Sequence, residues 1–200
     1  MQIDTDMTGL FGITLAIVAL LLRLPRVQAL PMGRRGILLA GAIIVLSIPV
    51  WGLSLAGFVR GITGDLSIGG LVLLAASLWY SLSGKALIEA HNRLAMLRAA
   101  MLVALLFYPF ALGIGMFDPY RLGYGNLWFM AALLGVSVWA SLRYSTLLAV
   151  CVALAVAAWS AGWYESTNLW DYLLDPWLAI YAFAVNIKYW LTQWRARKHA

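Results

Sequence analysis

The chain has 200 residues, 64% of them apolar and only 11% charged. Soluble domains carry about a quarter charged residues, so the composition excludes an ordinary water-soluble fold and points to an all-α integral membrane protein. At about 20 residues per bilayer crossing, seven crossings use most of the length. That leaves no soluble domain, nucleotide-binding cassette or separate catalytic module, and residues 1–200 read as one polytopic membrane domain.

Apolar runs bounded by Gly, Pro and charge predict crossings at 7–24, 37–58, 66–83, 99–116, 126–142, 144–163 and 176–194. Asp4 and Asp6 stand where a leader peptide would be basic, and no small-residue cleavage site follows the first run. The first run is therefore expected to stay as a helix. Pro49 in the second run and Pro109 in the fourth predict kinks, since each lacks an N–H and crowds the preceding turn. Ser47, Ser77, Ser137 and Tyr108 are the hydroxyls available either to line a polar cavity or to bond their own helices.

Residues 84–98 read as an amphipathic cytoplasmic segment that either lies on the inner surface or extends the third or fourth helix. Leu87, Ile88, Leu94 and Leu97 mark one helical face, while Lys85, Glu89 and Arg93 form an i, i+4 ladder on another. Only Arg143 interrupts the apolar stretch 126–163, whose 38 residues would make a helix about 57 Å long. The apolar core of a bilayer is about 30 Å thick, so a tight turn near Arg143 is forced.

With seven crossings, successive loops lie on alternate sides, and cytoplasmic loops collect Lys and Arg. Arg23, Arg26, Arg34, Arg35, Lys85, Arg93, Arg98, Arg143, Lys188, Arg195, Arg197 and Lys198 fall on one side. Of the 14 basic residues only Arg60 and Arg121 fall on the other. Acids sort the opposite way: Asp4, Asp6, Asp65, Asp118, Glu165, Asp171 and Asp175 face Arg60 and Arg121, and Glu89 alone lies on the basic side. This segregation places the N-terminus outside and the C-terminus in the cytoplasm. Aromatic residues fit the same frame, with Trp128, Trp163, Tyr164, Trp170, Tyr172 and Trp177 at outer ends and Trp79, Tyr80, Trp139, Tyr144, Tyr189, Trp190 and Trp194 at inner ends.

The net charge of +6 thus reports topology, and no nucleic-acid partner is expected. Cys151 is the only cysteine, which excludes an intrachain disulfide and a CxxC pair. His91 and His199 are the only histidines and neither lies within a crossing, so a bis-histidine haem has no ligands. HExxH, GxSxG and Walker sequences are absent from the chain. No ionisable residue falls at the centre of a crossing, which argues against ion-coupled carriers and proton relays. Lys188 is close enough to the inner face to snorkel.

What polarity remains is concentrated in the outer loops. Arg60-Gly-Ile-Thr-Gly-Asp65 and Asp118-Pro-Tyr120-Arg121-Leu-Gly-Tyr124-Gly each combine an arginine, an aspartate and two glycines. Arg60 and Arg121 supply planar forks suited to phosphate or carboxylate. Asp65 and Asp118 are candidates for a general base or a divalent-cation ligand, and Tyr120 and Tyr124 for stacking on a sugar or donating to a phosphate. Each has an ordinary alternative: Arg60 can pair with Asp65 and Arg121 with Asp118, Asp65 or Ser67 can cap the third helix, and Asp175 before Pro176 is a helix N-cap.

The expected function is that of a small polytopic bacterial inner-membrane protein that binds, and carries groups able to process, an anionic lipid headgroup or lipid-linked envelope component at its outer face. Its partners on this reading are membrane lipids. No cofactor is evident, a divalent cation at the aspartates being the one compatible addition, and no motif decides whether the protein is an enzyme. Two alternatives stand beside it: a non-catalytic subunit that meets a larger membrane partner through Gly- and Ala-rich helix faces, and a small-molecule transporter or channel.

Overall fold

The computed structural model describes residues 2–143 and 145–198, with side chains described from Met7 onward. Asp4, Asp6, Tyr144 and His199 therefore lie outside the described residues or side chains. The described residues are helical apart from loops and one hairpin of two-residue strands. In order it forms α1 (Gln2–Leu21), α2 (Pro25–Gln28), α3 (Met32–Ser47), β1 (Pro49–Val50), β2 (Leu53–Ser54), α4 (Leu55–Thr63), α5 (Ile68–Ser83) and α6 (Ala90–Ala111). There follow a 3-10 turn (Pro119–Gly123), α7 (Leu127–Leu142), α8 (Thr146–Ser160), α9 (Trp170–Leu173) and α10 (Pro176–Lys198).

The centre of the bundle is α6 packed on α10 and α8. Leu97, Met101 and Ala104 of α6 bury against Leu178, Ala179 and Ala182 of α10 and Cys151 of α8. Three of these side chains are single methyl groups, so the backbones approach closely and dispersion contacts accumulate along the seam. A second cluster, with Ala155 and Ala158 of α8 and Ile68 of α5, also takes in Tyr164 and Tyr172. On the far side of α5, α1 packs through Ile13 and Val18, with Leu22 just beyond its end. The helix pair α7–α8 is closed by the turn expected at Arg143: Arg143 N donates to Trp139 O at 3.1 Å and Ser145 N to Ala140 O at 2.8 Å.

The second expected crossing is divided. The helix stops at Ser47 because Ile48, which precedes Pro49, is pushed to an extended conformation (ψ 124°). Pro49 pairs with Ser54 and Val50 with Leu53 in an antiparallel hairpin. Its two tip residues, Trp51 (φ 52°) and Gly52 (φ 88°), both have the positive φ that tight two-residue hairpins require. The Trp51 side chain is 95% exposed. The short helix α4 then starts on a Ser54 N-cap that accepts from Gly57 N.

The expected amphipathic segment 84–98 is divided, its residues from Ala90 onward extending the fourth expected crossing as the first turns of α6. Gly84 adopts the left-handed conformation (φ 70°) that ends α5, residues 85–89 are not helical, and α6 begins at Ala90. Lys85 is thus off the helix, and the i, i+4 ladder does not form. Glu89 sits at the start of α6 and pairs with His91 at 3.1 Å. Pro109 lies in the last turn of α6, two residues before the helix ends. The helix α6 is long and apolar enough to cross a membrane, and Met7–Leu21, Ile68–Ser83, Leu127–Leu142 and Thr146–Ser160 are shorter apolar helices.

Candidate functional site

Three acidic-end segments, 60–67, 117–125 and 164–175, meet at one end of the bundle, and the last is the hub. Within it Tyr172, 0% exposed, accepts from Tyr164 N at 3.0 Å and reaches Ser166 O at 3.1 Å. The Tyr164 ring stacks on Tyr172 with centroids 4.8 Å apart, and its hydroxyl donates to Leu66 O at 2.8 Å. Asn168, also 0% exposed, donates from Nδ2 to Tyr120 O at 2.8 Å and accepts from Trp170 N at 2.9 Å. Trp170 Nε1 donates to Pro119 O at 2.9 Å, and Leu169 N to Gly123 O at 2.9 Å.

Asp175 ties the starts of α5 and α10 together. Its carboxylate is 3% exposed. It accepts from Ser67 N at 2.9 Å, from the Ser67 hydroxyl, and from Leu178 N at 2.8 Å. Ser67 in turn caps α5 by accepting from Gly70 N. Both helix N-termini thus share one buried anion, which their unsatisfied N–H groups and dipoles favour.

The residues singled out in the sequence fall into two groups on this hub. Arg60 of α4 and Asp65 are brought together, with Nε–Oδ1 at 2.6 Å and Nη2–Oδ2 at 2.9 Å, and Glu165 lies 3.5 Å from Arg60. This pair presses on Gly9 of α1, where a Cβ would stand 2.3 Å from Arg60 Nε. Asp118 caps the 3-10 turn by accepting from Tyr120 N at 2.9 Å. The Tyr120 hydroxyl donates to Asp171 at 2.9 Å, and the Tyr120 ring meets Tyr124 edge-on at 5.8 Å. Arg121 is exposed on the same turn. Arg60, Asp65 and Asp118 therefore have ordinary partners, and among the described residues no cluster of three His, Cys, Asp or Glu is placed to hold a metal ion.

Burial raises the Tyr120, Tyr164 and Tyr172 phenols above their ordinary value, with neighbouring aspartates adding to it: Asp171 for Tyr120, Asp65 for Tyr164, and both for Tyr172. A phenol whose folded pKa exceeds its unfolded one contributes stability that is present below the unfolded value and is lost as pH rises toward the folded one. The acidic end is therefore expected to hold up to about pH 10, the ordinary tyrosine value, and to loosen above it. Tyrosinate absorbance during alkaline titration checks this: these three phenols ionise later than free tyrosine, and together with the loss of structure. Smooth ionisation of all nine tyrosines at the ordinary value would contradict it.

Beneath this cap runs a cleft of about 1150 Å³ between α1, α5 and the first turns of α10. Its walls are apolar, with Ile13, Ile17 and Leu20 from α1, Leu73 and Leu74 from α5, and Leu178 from α10. Along α5 it extends from Gly70 to Gly84, about 21 Å at 1.5 Å per residue. At one end it reaches Asp175, and at the other Arg23, Arg35, Arg93, Gln28, Ser77 and Tyr80.

No family model, curated protein or solved structure matches this chain. Function must come from the geometry. In the sequence, Asp175 and Ser67 stand out only as helix caps, and Asn168 does not stand out. The signal for Asn168 was the Asn-x-Trp-Asp step, in which an Asn side chain bonds the backbone two residues on. The cleft left no local signal, because its walls are the same apolar residues that any lipid-facing helix carries.

Proposed function

We propose that the chain is a seven-span integral membrane protein, N-terminus outside and C-terminus cytoplasmic, that takes up a membrane lipid between α1, α5 and α10. The cleft is the observation that carries this reading. It is open, apolar along its length and polar at both ends, which suits an amphiphile lying parallel to the helices. Because a lipid chain in the bilayer is already out of water, what holds it there is van der Waals contact with the cleft walls. The embedding itself is supported by large apolar side chains turned outward over the bundle, among them Leu106 on α6, Leu127 and Leu134 on α7 and Ile180 on α10. Soluble monomers rarely expose contiguous apolar patches of this kind. In a bacterial inner membrane, the charge segregation would put the Asp175 end outside and the arginine end in the cytoplasm.

This reading keeps the anionic or lipid-linked ligand class expected from the sequence and moves its seat from the outer loops to the cleft. The internal pairing of Arg60 with Asp65 favours a structural part for those loops. A transport path past Tyr108 has less support, since Tyr108 packs edge-on against Phe107 at 5.3 Å and is not part of the cleft lining.

Two measurements test the proposal. Cysteines introduced by Arg121→Cys and Arg143→Cys should label from opposite sides of the membrane, with the native Cys151, which is buried, staying silent. Labelling from one side rejects the span count. Native mass spectrometry of the purified protein should show one retained lipid per chain, and Ala76→Phe, which puts a ring into the cleft wall, should lose it. Equal retention by both proteins rejects the cleft as the seat.

A further inference from the structure

The two ends of the cleft differ in charge, and that difference selects a ligand. At the Asp175 end the polar group is a carboxylate already engaged by Ser67 and Leu178 N, which would repel an anion. At the other end three guanidinium groups, from Arg23 after α1, Arg35 of α3 and Arg93 of α6, line the same space. Arg35 is fixed there by donating to Leu30 O at 2.8 Å, to Gln28 O and to Ser81 O. These acceptors are neutral carbonyls, so its positive charge is oriented without being cancelled. Arg23 donates to the Ser77 hydroxyl at 3.0 Å. Glu89, the residue before α6, lies 3.1 Å from His91 Nδ1 and makes no ion pair with Arg93 among the described residues. Among the described residues none of the three arginines is in an ion pair.

We propose that this end is a headgroup site for a phosphate-bearing membrane lipid, whose chain occupies the apolar cleft and whose phosphate is held between Arg23 and Arg93 with Arg35 behind them. The inference rests on the lipid-in-cleft reading above and adds the class of head and the end at which it sits. Guanidinium forks match phosphate oxygens in geometry as well as charge. Basic residues at the cytoplasmic surface attract anionic lipid in any case. What this site adds is convergence on the mouth of a single apolar slot, with Tyr80 and Gln28 beside it as neutral donors. On the proposed topology the lipid is drawn from the cytoplasmic leaflet, the opposite face from the one the outer arginines had suggested.

The experiment is a native mass spectrometry titration of the full chain in detergent with phosphatidylglycerol, phosphatidic acid and phosphatidylcholine of matched chains. The wild type should bind the two anionic lipids about tenfold more tightly than the zwitterionic one, the factor that about 1.4 kcal/mol represents. Arg23→Gln with Arg93→Gln should remove that preference while leaving chain-dependent binding, and Arg23→Lys, which keeps charge but not the fork, should retain part of it. Arg35 is left intact because it also joins backbone segments. Glycerol phosphate should not displace the lipid, since it lacks the chain. Equal binding of anionic and zwitterionic lipids, or an undiminished preference in the double variant, overturns the headgroup site and leaves the cleft standing. If no lipid of either kind binds, the cleft reading falls and this inference falls with it. Displacement by glycerol phosphate would show a free-phosphate site and overturn the lipid assignment.

Discussion

Asp175→Ala is expected to cost about 3 kcal/mol of stability, one of the two largest losses among single substitutions at the acidic end. The carboxylate accepts from Ser67 N, the Ser67 hydroxyl and Leu178 N. Removing it orphans donors in a site only 3% exposed. Each buried unsatisfied donor costs about 1–3 kcal/mol, and loss of an N-cap alone costs about 1 kcal/mol. The total stays below the simple sum because the serine hydroxyl can turn to another acceptor. Asp175→Asn should fall between: its remaining oxygen can still cap Leu178 N, but its amide brings donors against the Ser67 donors. Thermal unfolding in detergent reads the order wild type, Asn, Ala. An Ala variant as stable as the wild type would mean that α5 and α10 are not joined through this group.

Gly123→Ala is the second large effect, also about 3 kcal/mol. A Cβ there would stand 1.8 Å from Asn168 Oδ1, 2.6 Å from its Cγ and 2.9 Å from Trp170 Cδ1. Overpacking of this kind costs about 1–3 kcal/mol. Displacing Asn168 also breaks its bonds to Tyr120 O and Trp170 N, leaving buried amide groups unpaired at about 1–3 kcal/mol. Gly135→Ala on α7, where nothing lies within 4 Å of the added methyl, is the matched control. It should be neutral or gain about 0.5–1 kcal/mol from helix propensity. Limited proteolysis between residues 117 and 125, compared with the thermal midpoint, locates the damage. If the two alanines behave alike, the 3-10 turn is not seated on the 164–175 segment as described.

These two sites show why the candidate residues were only half legible. Arg60 and Asp65 are recognisable as a pair because they stand five positions apart, one in the last turn of α4 and the other just beyond its end. Asp175 was recognisable as a cap from the Pro that follows it. Ser67 lies 108 positions from Asp175 and Asn168 lies 48 from Tyr120, and local reasoning offers no link across such distances. The hairpin at Pro49–Ser54 was hidden for another reason. Its residues are nearly all apolar, so hydropathy extends the helix through them, and only Pro49 and Gly52 mark the break. The sign of φ at Trp51 could not be read at all, because a β-branched or aromatic residue is seldom placed in a left-handed turn.

By itself the sequence determined the helical class, the break near Arg143 and the alternation of acidic and basic segments along the chain, because each depends on composition, length and the order of residues. Only the tertiary structure decided which helices stand beside which, and therefore that Asp175 bridges two helix starts and that Arg23, Arg35 and Arg93 share the mouth of one apolar cleft. Helices that are apolar all round carry no stripe to say where they pack. Close approach of small side chains and the pairing of a few buried polar groups settle the arrangement instead, and these are properties of pairs of helices, written in no single one of them.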